Sequence, residues 1–192
     1  LTIAPIPIQK PHPPMYLAVS RTPGTIDDAV SRGLPMLTSA NTPDEEVLVL
    51  RDLYATGCAE AGVEPQWEDM PFFRVTYVAE DQKTAEKDPQ EAMDWVADLN
   101  GYRRTLEGGS EIYADLDHWV KTRPEDPPSY ESRLKSTAYF GTPDRVVEGI
   151  ENLRDQHNVQ YYTAHFSYGS MEHEKVMRSM KLFADEVMPK FR

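Results

Sequence analysis

The sequence has little cysteine, no long apolar run and no charged leader at its start. Cys58 is the only cysteine among 192 residues, so no disulfide can form within the chain and a reducing compartment fits best. No segment approaches the roughly 20 apolar residues of a membrane-spanning helix. Residues 1–9 contain prolines where a signal peptide has a charged segment. We therefore predict a cytoplasmic protein without a membrane span.

Positive charge is also scarce. The sequence has 20 Lys and Arg residues against 32 Asp and Glu residues, which gives a formal net charge of −12. Nucleic-acid affinity rests mainly on clustered cations that neutralise phosphates, so we expect no nucleic-acid partner. His173 lies beside Glu174, but no third residue nearby has the spacing of a metal ligand. We predict no metal site.

Short apolar segments alternate with helical patterns along the chain, whose length suits one domain over 1–192. This order predicts an α/β fold with a parallel sheet and right-handed crossovers. Periodicity alone does not choose between an open doubly wound sheet and a barrel of eight strands. The predicted strands cover 15–19, 34–39, 72–80 and 159–169, and the predicted helices cover 25–32, 43–61, 89–106, 143–157 and 173–188.

Hydroxyl residues and glycines mark the expected helix ends. Thr25, Thr42 and Thr142 are predicted N-caps, because a hydroxyl oxygen can accept a hydrogen bond from a free N–H of the first turn. Gly33 and Gly62 are predicted to end the first two helices. Two further regions lie outside the repeated units: a proline-rich extended lead over 1–14, and a long insertion over 81–140 that is predicted to form a lid.

The stretch YLAVSRTPGTIDDAV, 16–30, runs from a strand into a helix through hydroxyls, a proline and a glycine. A helix N-terminus offers free N–H groups and the positive end of the macrodipole, so this turn could bind a phosphate. The alternative is an ordinary turn that needs no ligand, because Ser and Thr are common caps and Pro-Gly is common in turns. The residues leave both interpretations open.

His165, near the end of the last strand, is the one catalytic candidate. Strand alternation predicts Thr163, His165 and Ser167 on one face, with Ala164, Phe166 and Tyr168 on the other. His165 either contacts a ligand at the strand end or is a histidine satisfied in a polar layer of the core. Otherwise the catalytic residues are unknown from the sequence.

Two blocks of the sequence resemble the bacterial luciferase-like monooxygenases, which are flavin-dependent and adopt a TIM barrel. The first is QKPHPPMYLAVSRTPGTIDDAVSRGLPML, 9–37, and the second runs over 139–192 and ends in the characteristic HEKVMRSMKLFADEVMP. The resemblance covers nearly the whole chain and implies a TIM (β/α)8 barrel. It implies that this chain is the C-terminal half of the barrel, with strands 5–8.

The resemblance also implies a cofactor site and a reaction. In this family the loop after the first of these strands holds the phosphate of FMN, and that role falls here on Val19, Ser20, Thr22, Gly24 and Thr25. Reduced FMN, supplied by a flavin reductase, would react with O2, and one oxygen atom would pass to a small organic substrate. Relatives that transfer hydride with F420 are the nearest alternative, and a non-catalytic flavin-binding partner subunit is another.

The resemblance implies partners as well. The missing N-terminal half of the barrel must be supplied, and the C-terminal half, which is this chain, is expected to be inactive alone. Dimers are common in the family, so a homodimer is one expectation for the assembly.

Overall fold

The computed structural model describes residues 6–10, 12–20, 24–107 and 128–191, with side chains described outside 101–107. Within these residues no helix is both long enough and apolar enough to cross a membrane. The strands are β1 Leu17–Ala18, β2 Met36–Leu37, β3 Pro71–Val78, β4 Ala138–Gly141 and β5 Tyr161–His165. The helices are α1 Thr25–Arg32, α2 Asp44–Ala61, α3 Gln82–Lys87, α4 Gln90–Glu107, α5 Tyr130–Ser136, α6 Pro143–His157 and α7 His173–Leu182, which continues as a π-helical segment, Phe183–Val187, and a 3-10 segment, Met188–Phe191.

All strand pairs that form in the described residues are parallel. β1 pairs with β2 through Leu17↔Met36 and Ala18↔Leu37, and a second sheet has the order β4-β3-β5. Different parts of β3 pair with its two neighbours: residues 71–75 pair with β5, and residues 75–78 pair with β4. The α/β class with parallel sheets is confirmed, and the arrangement is consistent with part of a TIM barrel.

β3 is covered on both faces, which explains its nearly continuous apolar sequence. One face carries Phe72 and Val78, which pack against α2, α6 and the end of the last helix. The opposite face carries Val75 and Tyr77, which pack against α3, α4 and Phe140 of β4. The sheet therefore separates two apolar layers.

The number of strands differs from the prediction. β4 begins within 81–140, the region assigned to an insertion, and pairs with β3 from Val75↔Ala138 to Val78↔Gly141. Four residues before a helix give almost no period-2 pattern, so this strand has no clear signal in the sequence. The described parts of 81–140 also form α3, α4 and α5. The predicted lid would include 108–127, which lie outside the described residues.

Two of the three predicted N-caps are wrong. Gly24 stands at the N-cap of α1 and Pro43 at that of α2, and neither helix start has a side-chain cap, so Thr25 and Thr42 do not have that role. Thr142 is confirmed, because its hydroxyl accepts a hydrogen bond from the N–H of Arg145. β1 and β2 are also much shorter than predicted, since only two residues of each pair regularly.

Candidate functional site

The loop after β1 begins with a buried residue and continues at the surface. Val19 is 3% exposed and donates its N–H to the carbonyl of Leu37 over 2.9 Å, which extends the pairing of β1 with β2. Ser20 follows and is exposed. Residues 21–23, and with them the predicted ligand Thr22, lie outside the described residues. Val19 therefore fixes the base of the loop, and Ser20 is available at its surface.

The start of α1 presents free backbone donors. Gly24 has a left-handed backbone with φ 82°, and no side chain caps the first turn. The first N–H groups of a helix have no partner within the helix, so they are available to an anion here. Thr25 is half-buried beside them. A shallow depression at this point is lined by Gly24, Thr25, Asp27, Asp28 and Ser31.

The two carboxylates in the same turn disfavour the binding of an anion. Asp28 forms an ion pair with Arg32 at 3.0 Å, which offsets its charge. Asp27 is exposed and has no ion-pair partner in the described part of the chain. The N–H groups, the helix dipole and the hydroxyls of Ser20 and Thr25 fit a phosphate, while Asp27 weakens that fit.

His165 lies in the other sheet, at the carboxyl end of β5. It pairs with Val75, and its ring lies 5.4 Å from that of Phe73 and 5.9 Å from that of Tyr168. The prediction that Tyr168 lies on the face opposite His165 is wrong. The strand ends at His165, so the alternation stops there and Tyr168 folds back onto the cluster of Val75 and Phe140.

Polar atoms without partners lie close to His165. The hydroxyl oxygens of Thr163 and Tyr168 are buried and make no hydrogen bond within the described residues. Burial, helped by the nearby Tyr130 and Tyr77, raises the pKa of Tyr168 well above its ordinary value. Tyr168 therefore stays a neutral donor at physiological pH. His165, Thr163 and Tyr168 could together contact a ligand placed on this face of the sheet.

A buried polar network was missed by the sequence prediction. Arg74 of β3 is fully buried, and its Nε lies 2.6 Å from Oδ1 of Asp44 in the first turn of α2. The hydroxyl of Tyr139 donates to Oδ2 of the same carboxylate over 2.8 Å. A neighbouring contact of 2.8 Å joins Thr76 to the hydroxyl of Tyr162. An arginine in the largely apolar FFRVTYV was the available signal.

The described residues hold no group of three His, Cys, Asp or Glu side chains that could bind a metal ion.

The comparison with protein families supplies the decisive observation, since the family model for luciferase-like monooxygenases matches residues 1–157. The chain belongs to the luciferase-like monooxygenase family. This membership confirms the resemblance read from the sequence. None of the curated proteins matches the chain significantly.

Solved structures of luciferase-like monooxygenases share the fold. Monooxygenase RslO1 from Streptomyces bottropensis is 26% identical with a TM-score of 0.65, over 96% of this chain and 50% of that one. The oxygenating constituent of 3,6-diketocamphane monooxygenase from Pseudomonas putida, in complex with FMN, is 18% identical with a TM-score of 0.60, over 92% of this chain and 48% of that one.

A structure with a different cofactor in its name has the same fold. The coenzyme F420 dependent tetrahydromethanopterin reductase from Methanopyrus kandleri is 18% identical with a TM-score of 0.57, over 93% of this chain and 51% of that one. This luciferase-like chain thus spans about half the length of these three solved structures.

Proposed function

We propose that the protein containing this chain is a flavin-dependent monooxygenase that uses reduced FMN and O2 to oxygenate a small organic substrate. The observation that carries the proposal is the luciferase-like monooxygenase match over residues 1–157. The family includes flavin-dependent monooxygenases, which supports an oxidoreductase. The FMN complex among the structural relatives supports the choice of cofactor. Because the chain spans half of those relatives, the activity is proposed for the whole protein.

In this proposal the start of α1 binds the FMN phosphate. The uncapped N–H groups and the hydroxyls of Ser20 and Thr25 would donate hydrogen bonds to phosphate oxygens. Thr22 would add a third hydroxyl from the same loop. Val19 would hold the loop on the sheet through its bond to Leu37. Gly24 has no side chain to keep the phosphate from the backbone, and a Cβ there would meet no other atom within 4 Å.

In this proposal the reaction takes place at the face of the sheet that carries His165. When bound, FMN supplies the redox chemistry, since no protein side chain can activate O2 in its place. His165, Tyr168 and Thr163 would line the face toward the flavin ring or the substrate. Phe73 and Phe140 would exclude water from that face. The N-terminal half of the barrel, a flavin reductase and a second copy of the protein are the proposed partners.

Binding of FMN to the full-length protein tests the phosphate site. Ser20→Ala and Thr25→Ala should each raise the Kd for FMN about tenfold, the value of one hydrogen bond to a charged group. Thr56→Ala removes an exposed hydroxyl on α2 that bonds to the carbonyl of Asp52, so it is a matched control. If both site variants bind FMN like the control, the phosphate does not lie at this loop.

F420-dependent hydride transfer is a second candidate, favoured by the structural likeness to the F420 dependent reductase. The absorbance spectrum of the purified full-length protein, or of the protein titrated with each cofactor, distinguishes the two. A monooxygenase should consume O2 when reduced FMN is supplied, whereas hydride transfer with F420 needs no O2. FMN binding without O2 consumption in the presence of a reductase would instead identify a flavin-binding partner subunit.

A further inference from the structure

A cavity of about 420 Å³ lies beside β4, where it is bounded by α3, α5 and α6. Its apolar lining comes from Leu134, Ala138, Phe140 and Val146. Its charged lining consists of Glu86, Glu131, Lys135 and Arg145. Neither the loop after β1 nor His165 contributes a residue to this lining. The cavity therefore combines an apolar surface with two carboxylates and two cations, and the proposed flavin chemistry uses none of these four charged groups.

The two cations of the cavity have no acidic partner in the described residues. Neither Lys135 nor Arg145 lies within ion-pair distance of a carboxylate there, although two carboxylates line the same cavity. Arg154, on the same helix as Arg145, has its Nε 2.6 Å from Asp155. The carboxylate of Glu86 accepts a hydrogen bond of 2.6 Å from the amide of Gln82, which holds it at the cavity. Opposite charges thus line one cavity without forming an ion pair with each other in the described residues.

The position of Arg145 is unfavourable for its own helix. α6 begins at Pro143, so Arg145 lies in the first turn, at the positive end of the helix dipole. Acidic residues are favoured there, and Asp144 follows that rule, whereas a cation is disfavoured. A bound anion would offset the repulsion.

Gly141, at the end of β4, lets two cavity residues approach the backbone. A Cβ at this position would lie 3.0 Å from Cδ of Arg145 and 3.1 Å from Oε1 of Gln82. Without that atom, the stem of Arg145 and the amide that holds Glu86 both rest on the strand end. The absence of a side chain at Gly141 thus leaves room beside the strand end for the stem of Arg145 and for the amide of Gln82.

We propose that this cavity binds a small amino-acid-like zwitterion with an apolar side chain, at a site separate from the proposed flavin loop. The ligand carboxylate would contact Arg145 and Lys135, and its ammonium group would contact Glu86 and Glu131. The ligand side chain would lie on the apolar lining. A simple carboxylate would leave both acids unpaired and repelled, so the zwitterion matches all four charged groups.

Calorimetric titration of the full-length protein with L-phenylalanine tests this site. N-acetyl-L-phenylalanine keeps the carboxylate without the ammonium charge, and L-phenylalaninamide keeps the ammonium without the carboxylate. Each should bind about tenfold more weakly than L-phenylalanine, because each loses one set of charge-assisted hydrogen bonds. Equal affinity for the three compounds, or no binding of L-phenylalanine up to about 10 mM, would overturn the proposal.

Substitutions locate the site and assign its two ends. Arg145→Gln should weaken L-phenylalanine about tenfold without weakening L-phenylalaninamide, because the amide has no carboxylate to lose a contact and its ammonium group is no longer repelled by Arg145. Glu86→Gln should weaken L-phenylalanine but not N-acetyl-L-phenylalanine, whose carboxylate is no longer repelled by Glu86. Arg154→Gln removes the same charge from the same helix outside the cavity and should change nothing. Equal effects of Arg145→Gln and Arg154→Gln would place any binding elsewhere, and circular dichroism shows that each variant is folded.

Discussion

Arg74 and Asp44 form an ion pair of 2.6 Å between the middle of β3 and the first turn of α2, and only the carboxylate reaches solvent. The two atoms lack hydrogen-bond alignment, so the attraction is ionic, and Nη2 of Arg74 has no partner in the described residues. Burial lowers the pKa of Arg74, while the nearby Asp44 acts in the opposite direction. The charge of the arginine thus depends on Asp44 for compensation.

This asymmetry predicts that removing the charge of Asp44 lowers the free energy of unfolding more than removing the charge of Arg74. Asp44→Asn leaves a buried guanidinium without a counter-charge and should lower the free energy of unfolding by about 3–5 kcal/mol. Arg74→Met leaves a carboxylate that is partly exposed and still bonded to Tyr139, so it should cost only about 1–2 kcal/mol. Urea unfolding of both variants measures the difference. The opposite order would show that the apolar surroundings of Arg74, and not its charge, determine the stability.

Alkaline pH should destabilise the fold through Tyr77. Burial, followed by the hydrogen bond to Asp88, raises the pKa of Tyr77 to about 12. In the unfolded chain a tyrosine has a pKa of about 10. The folded state therefore favours the neutral form, so this contribution to stability is complete below about pH 10 and is lost as the pH rises through about 12.

Tyr77→Phe tests this dependence. The variant loses its hydrogen bond to Asp88 at every pH, but its unfolding free energy should fall less than that of the parent protein between about pH 8.5 and 11.5. Tyr161→Phe removes the hydroxyl of an exposed tyrosine and should keep the parental pH dependence. A parental slope for Tyr77→Phe in urea unfolding would contradict the assignment.

Gly169 should be the least replaceable of the glycines discussed here. It has φ 56°, and a Cβ would lie 2.4 Å from the carbonyl oxygen of Ala92 in α4. Gly169→Ala should therefore cost more than about 3 kcal/mol. Gly24→Ala shares the left-handed backbone but meets no atom within 4 Å, so it should cost only about 1–2 kcal/mol. Equal costs in urea unfolding would mean that α4 moves away freely.

Asp27→Asn should improve FMN binding, a prediction that rests on the proposed phosphate site. The substitution removes an exposed carboxylate from the first turn of α1, where the phosphate would bind. The Kd for FMN should fall about two- to fivefold at low salt. Asp98→Asn makes the same change of net charge on the exposed face of α4 and should have no effect. Weaker binding by Asp27→Asn would count against a phosphate at this turn.

Local signals predicted the helices better than the strands. Gly33, Gly62 and Thr142 lie at helix ends as predicted, because the hydrogen bonds there join residues close in sequence. β4 was missed because its pairing partner, β3, lies far away in the sequence. For the candidate site, the sequence identified the turn at the start of α1, but not that Gly24 caps it in place of Thr25.

The buried contacts of the site were not predictable in the same way. Alternation correctly put Thr163 and His165 on one face, opposite Ala164, but it failed at Tyr168 because the strand ends first. The partner of Arg74 could not be read from the sequence, since Asp44 is one of several acids at the start of α2. Such pairs depend on how elements pack and not on spacing along the chain.

Val75 pairs with Ala138 on one side and with His165 on the other, so both neighbours of β3 are made long after β3 itself. During synthesis this apolar strand leaves the ribosome with no strand in this sheet to pair with, and pairing over such long separations is slow. Until residue 165 has emerged, one edge of β3 remains available to other chains. A chain that is released from the ribosome, or cleaved by a protease, before β5 should therefore aggregate more readily than it folds into a smaller product.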